Sequence, residues 1–113
     1  MTYIDVTEEL GDEQHEIRGL VRRLAKERIA PRAAKIDHAA EFPWDVVELF
    51  RQNDIFAMLF DEEYGGIGES ALMTFICIEE LAKVCGTSAA ILSVQDLGSL
   101  GIKLAGTEEQ KQR

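Results

Sequence analysis

The chain has 113 residues, enough for one domain with a real core. Hydrophobic residues make up 46% and charged residues 29%, ordinary values for a globular protein that stays in water. The net charge of −9 argues against nucleic acid and against an anionic membrane surface, since both need a basic face. The N-terminus is acidic and lacks the basic and apolar regions of a signal peptide. No apolar run approaches the length of a membrane span. Cys77 and Cys85 are the only cysteines and stand in no CxxC pattern. They read as two buried thiols of a reducing compartment.

The elements, in chain order, are helical. Residues 1–11 read as a loose arm. From Asp12 a stripe of Ile17, Leu20, Val21, Leu24, Ala25 and Ile29 marks an amphipathic helix, with acids in its first turns and bases later. Pro31 predicts a bend, because it lacks an N–H and crowds the carbonyl of Glu27. The helix is expected to resume through about Asp37. His38–Phe42 is a connector, and Pro43 suits the first position of a second helix that carries Trp44, Val47, Leu49 and Phe50. Asn53-Asp54 ends it. Ile55–Phe60 is too short for a helix of its own and reads as an extended, buried segment. Asp61–Glu69 is an acidic turn whose glycines permit positive φ.

Ser70 is a good N-cap for a third helix, Ala71–Cys85, which is apolar on nearly every face and so marks the centre of the fold. Gly86 is expected to stop it. Thr87 or Ser88 then caps a fourth helix to about Leu97, and Gly98, Gly101 and Gly106 punctuate a further short one. Thr107-Glu-Glu-Gln110 is a capping box that opens another helix near the end of the sequence. These signals predict an all-α helical bundle over residues 1–113, cut from a longer protein.

Catalytic groups are sparse. Asp12 and His15 have the spacing of a Glu-x-x-His metal pair with the wrong acid, and His38 has no acid three residues before it. No metal site is expected, and both histidines read as surface residues. Glu79 reads as a buried acid paired with an arginine or a backbone group. Gly65-Gly66-Ile67-Gly68 is a weak phosphate signal, better read as a turn. Asp61-Glu62-Glu63 reads as a solvated acidic turn rather than a cation site. Ser93 has no base placed for it, so it reads as a helix serine.

Asp61-Glu-Glu-Tyr-Gly-Gly-Ile-Gly68 resembles the turn of the acyl-CoA dehydrogenases. Glu27–Asp37 with Phe42-Pro-Trp44, Ile78-Glu-Glu-Leu-Ala-Lys83, and Gly106-Thr-Glu-Glu-Gln-Lys-Gln112 extend the likeness in order across nearly the whole chain. Asp61 stands where the family usually has proline, and Gln95-Asp96 where an Asn-Ser-like pair is common. The resemblance implies the N-terminal helical domain of a homotetrameric, three-domain FAD enzyme that removes hydrogens from Cα and Cβ of an acyl-CoA. It implies a glutamate base and most flavin contacts beyond Arg113, so this piece alone is expected neither to catalyse nor to hold FAD firmly. It further implies an electron-transfer flavoprotein as partner and a cytoplasmic location, or the mitochondrial matrix if eukaryotic. Its acyl-pocket wall falls near Ala90, Ser93 and Leu97. Small side chains there leave room for a ligand or for another helix. Two other readings stay open: a stand-alone helical interaction module without flavin, and the same fold in a flavin oxidase or monooxygenase.

Overall fold

In the computed structural model, which describes residues 10–113, six α-helices pack into one bundle, and no strand occurs among the described residues. Positions 1–9 of the arm expected over residues 1–11 lie outside the described residues. The helices are α1 (Asp12–Leu24), α2 (Ala33–Ala39), α3 (Trp44–Gln52), α4 (Ala71–Ala82), α5 (Gly86–Ala105) and α6 (Glu108–Gln112).

The first helix begins where the acids predict. The Gly11 N–H donates to the side chain of Gln14, and Val21, Ala25 and Ile29 of the expected stripe are buried. Leu20 is half exposed. Pro31 does more than bend the helix. A wide π-turn over Ala25–Ile29 and a tight 3₁₀ turn over Ala30–Arg32 separate α1 from α2. Changing the pitch on either side of the ring moves the Glu27 carbonyl out of its way. Ala40, with φ of 51°, closes α2 in the left-handed region.

Pro43 is the N-cap of α3 rather than its first helical residue. The left-handed residue after α3 is Asp54, while Asn53 stays at negative φ and donates its side-chain N–H to the Leu49 carbonyl. The expectation of an extended segment at Ile55–Phe60 is corrected, because Phe56–Leu59 forms a 3₁₀ turn. Its burial holds for Ile55, Met58 and Leu59. A helical turn lets three neighbouring apolar side chains reach one core, whereas a strand would send alternate ones to solvent.

Ser70 caps α4 as expected, accepting from the Met73 N–H at 3.3 Å. This helix lies between α1 and α5 and contacts both. Met73, Cys77 and Leu81 are fully buried beside Phe50, Ile29 and Leu92. Two features of the expected third helix change. Leu72 and Phe75 are exposed, so one face of α4 is open. The helix also ends at Ala82, and Gly86 does not stop it. After the Lys83–Val84 turn, the extended Cys85 becomes the N-cap of α5 and Gly86 is that helix's first residue.

The fourth helix and the short one after it are one element. α5 runs 20 residues through Gly98 and Gly101 and stops at Gly106. Each glycine costs a helix about 1 kcal/mol relative to alanine, too little to break a backbone ladder that stays intact. Asp96 also braces the stretch, accepting from Ser99 through its carbonyl and from Lys103 at 2.7 Å through its carboxylate. Thr107 and Gln110 form the expected capping box at the start of α6.

Candidate functional site

Ala90, Ser93 and Leu97 are spaced three and four residues apart, so they share one face of α5. Ala90 and Leu97 are exposed and Ser93 is partly buried. The opposite face holds Ser88, Ala89 and Leu92 in the core. The outer face has more than the three predicted positions. Val94 is 64%, Leu97 70% and Leu104 77% exposed. With Ala90 and Gly101 they fall at alternating steps of four and three residues, a continuous apolar seam along the helix. Such a seam on a water-facing surface marks a place where something else packs.

A groove of about 480 Å³ opens beside the first half of this seam. Ala90, Ile91 and Val94 form one wall, and Phe42, Trp44, Val47 and Phe56 contribute the rest of its apolar lining. The Phe42 and Trp44 rings meet edge to face at 4.6 Å, and both are exposed. Ser93 and Leu97 do not line this groove. The structure therefore brings Ala90 together with Trp44 and Val94, two residues outside the predicted set, and places Ser93 and Leu97 further along the same face. The signal for Val94 and Leu104 was present as spacing. For Leu104 it becomes visible only when α5 is continuous past Gly98.

The groove lining carries no ionisable side chain. It can hold an apolar group and exclude water from it. Its one hydroxyl, on Thr87, has no base among the lining residues to activate it.

The charged centre of the chain lies elsewhere and is structural. The buried acid is Glu80, where Glu79 was expected, and Glu79 itself is exposed. One residue along a helix is a rotation of about 100°, which carries the side chain from solvent to the α1 contact. Glu80 accepts from Arg22 twice at 3.0 Å, from Arg18 at 3.0 Å and from Lys83 at 2.9 Å. Arg22's hydrogen bonds hold the Glu80 carboxyl down at about 2, helped by Lys83 and Arg18 and opposed by burial. Burial pushes the Cys77 thiol up to about 12, and its sulfur sits 3.7 Å from that of Met58. Cys77 and Cys85 are both free and buried, as expected. His15 and His38 are exposed, as expected.

The glycine turn is not a phosphate cradle. The N–H groups of Gly65, Gly66, Ile67 and Gly68 donate to the carbonyls of Glu62, Asp61, Ala57 and Phe60, at 2.8 to 3.0 Å. Four successive amides are thus committed to backbone carbonyls of residues 57–62, which leaves none of them for a dinucleotide pyrophosphate. The residues of this turn do not fit a flavin nucleotide. Among the described residues no helix is long and apolar enough to cross a membrane.

The family profile described as "Acyl-CoA dehydrogenase, N-terminal domain" matches residues 11–113. The chain belongs to the acyl-CoA dehydrogenase family. It is 42% identical over 105 residues to a 3-sulfinopropanoyl-CoA desulfinase of Paraburkholderia xenovorans, covering 92% of this chain and 27% of that protein. The short-chain specific acyl-CoA dehydrogenase of Clostridium acetobutylicum is also 42% identical over 105 residues, covering 92% of this chain and 28% of that one. The probable acyl-CoA dehydrogenase FadE25 of Mycobacterium tuberculosis is 38% identical over 104 residues, covering 92% and 27%. The chain thus spans about a quarter of the length of these relatives. The all-α bundle is the N-terminal helical domain of this family.

Proposed function

We propose that this chain is the N-terminal domain of a longer, three-domain acyl-CoA dehydrogenase and that the outer face of α5 shapes its acyl pocket. The observation that carries the proposal is the apolar seam Ala90–Leu104, solvent-exposed in a helix whose other face is core. In this reading Ala90, Ser93 and Leu97 line the acyl tail, and their small or apolar side chains set its room. Acyl-CoA, FAD and an electron-transfer flavoprotein are ligands and partners of the longer, homotetrameric protein. The catalytic base and most flavin contacts are proposed to lie outside this chain, which alone is inactive. The proposed compartment is the cytoplasm, or the mitochondrial matrix, where free thiols such as Cys77 and Cys85 stay reduced.

The reaction itself is decided outside these residues. A relative named as a desulfinase is as similar here as one named as a short-chain dehydrogenase. A different flavin reaction on a CoA thioester is therefore the second reading. The pocket role is tested in the longer protein by Ser93→Phe. A bulky ring on the α5 face is expected to shift the preferred acyl length towards shorter chains. An unchanged chain-length profile overturns the assignment of this face to the acyl tail.

A further inference from the structure

The stretch Gly106–Gln112 carries no apolar side chain. α6 is five residues long and has no buried residue. Its capping box satisfies its own first amides, which stabilises the helical turn but does not aim it. The elbow before it is tight. The Gly106 N–H donates to the Ile102 carbonyl at 2.8 Å, and a side chain at Gly106 would overlap that same carbonyl.

Direction comes from a distant part of the chain. The Tyr64 hydroxyl donates to Glu108 Oε2 at 2.7 Å across 44 positions of sequence. Four residues before Tyr64, the Phe60 ring lies under the Lys103 ammonium at 5.0 Å from the ring centre. The acidic glycine turn and the Phe60 just before it therefore touch both sides of the elbow: the end of α5 through Phe60, and the start of α6 through Tyr64. Between these two contacts lies a cleft of about 320 Å³. The turn is itself anchored: the Gly65 and Gly66 amides bond within it, and those of Ile67 and Gly68 bond back to Ala57 and Phe60. We propose that Tyr64 and Glu108 form a latch that fixes the angle between α5 and α6, with Tyr64 as the positioning residue.

Other groups shape the strength of the latch. Lys111 pairs loosely with Glu108 at 3.8 Å, and Asp61 and Glu63 add negative charge near the tyrosine. The Glu108 hydrogen bond, then desolvation and the nearby acids, push the Tyr64 hydroxyl up to about 12, so it stays a donor at any ordinary pH. A chain continuing past Arg113 would leave the bundle at the angle this latch sets. The inference does not depend on the acyl-pocket reading, because neither partner lies on the outer face of α5.

The test is the orientation of α6 in solution, read as residual dipolar couplings of its backbone N–H groups relative to those of α5. Tyr64→Phe removes only the hydroxyl, and Glu108→Ala removes only the acceptor. Each is expected to reduce the couplings of residues 108–112 by at least twofold while those of α4 and α5 stay as in the wild type. The double variant is expected to be no worse than either single one, since one contact is lost in all three. Glu108→Gln keeps a side-chain acceptor and is expected to retain most of the order. Wild-type couplings in Tyr64→Phe, or additive losses in the double variant, overturn the latch.

Discussion

Glu80 is the residue on which α1 and α4 are joined. Its carboxylate is buried and meets three cations, two from α1 and one, Lys83, from the turn that ends α4. Removing one member of a buried ion pair leaves the others without compensation. Glu80→Gln is expected to lower the unfolding free energy by about 2–3 kcal/mol, at the low end for such sites because Arg22 and Lys83 reach water. The pH dependence follows from the same contact. The folded carboxyl titrates near 2, below its ordinary value of 4.5. Its stabilisation is therefore complete above the ordinary value and is lost as pH falls through the folded one. Denaturant midpoints measured between pH 5 and pH 2 should fall for the wild type, and should fall less steeply for Glu80→Gln.

At the scale of elements, two glycines of similar appearance in the sequence have opposite roles. Gly66 packs so closely on Phe60 that an added Cβ would overlap its carbonyl oxygen. Gly98 lies inside α5, and beyond its own stretch of helix no atom stands within 4 Å of where its Cβ would be. Gly66→Ala is expected to destabilise by about 3 kcal/mol, because the turn must open to admit the methyl group. Gly98→Ala is expected to stabilise by about 0.5–1 kcal/mol through helix propensity and a less flexible unfolded chain. Thermal or denaturant unfolding of the two variants checks both signs. A stabilised Gly66→Ala would mean that the turn is looser than its internal hydrogen bonds require.

For the whole molecule, the question is which apolar surface is core and which is interface. Leu97 and Leu104 are large, apolar and mostly in water, although they stand on the same helix as the fully buried Leu92. Leu97→Gln with Leu104→Gln is expected to leave the unfolding free energy of this chain within about 0.5 kcal/mol. The same pair should reduce binding of a hydrophobic dye. Core leucines would cost about 2 kcal/mol or more each on truncation. A large loss of stability would therefore show that the seam is buried in the chain by itself, and the pocket proposal would lose its supporting observation.

Local chemistry was enough to determine the all-α class, the caps at Ser70 and Thr107, and the central place of α4, because capping residues and apolar periodicity act within a few positions. The order of short motifs was enough for the family. Tertiary structure decided the rest. Ile55–Phe60 turned helical because three side chains had to reach one core. Two glycines that punctuated the sequence left α5 whole, since their cost is small beside an intact backbone ladder. The buried acid moved from Glu79 to Glu80, since one step rotates a helix by about 100°, and only packing against α1 chooses the phase. The contact between Tyr64 and Glu108 spans 44 positions, and no local rule of sequence reaches that far.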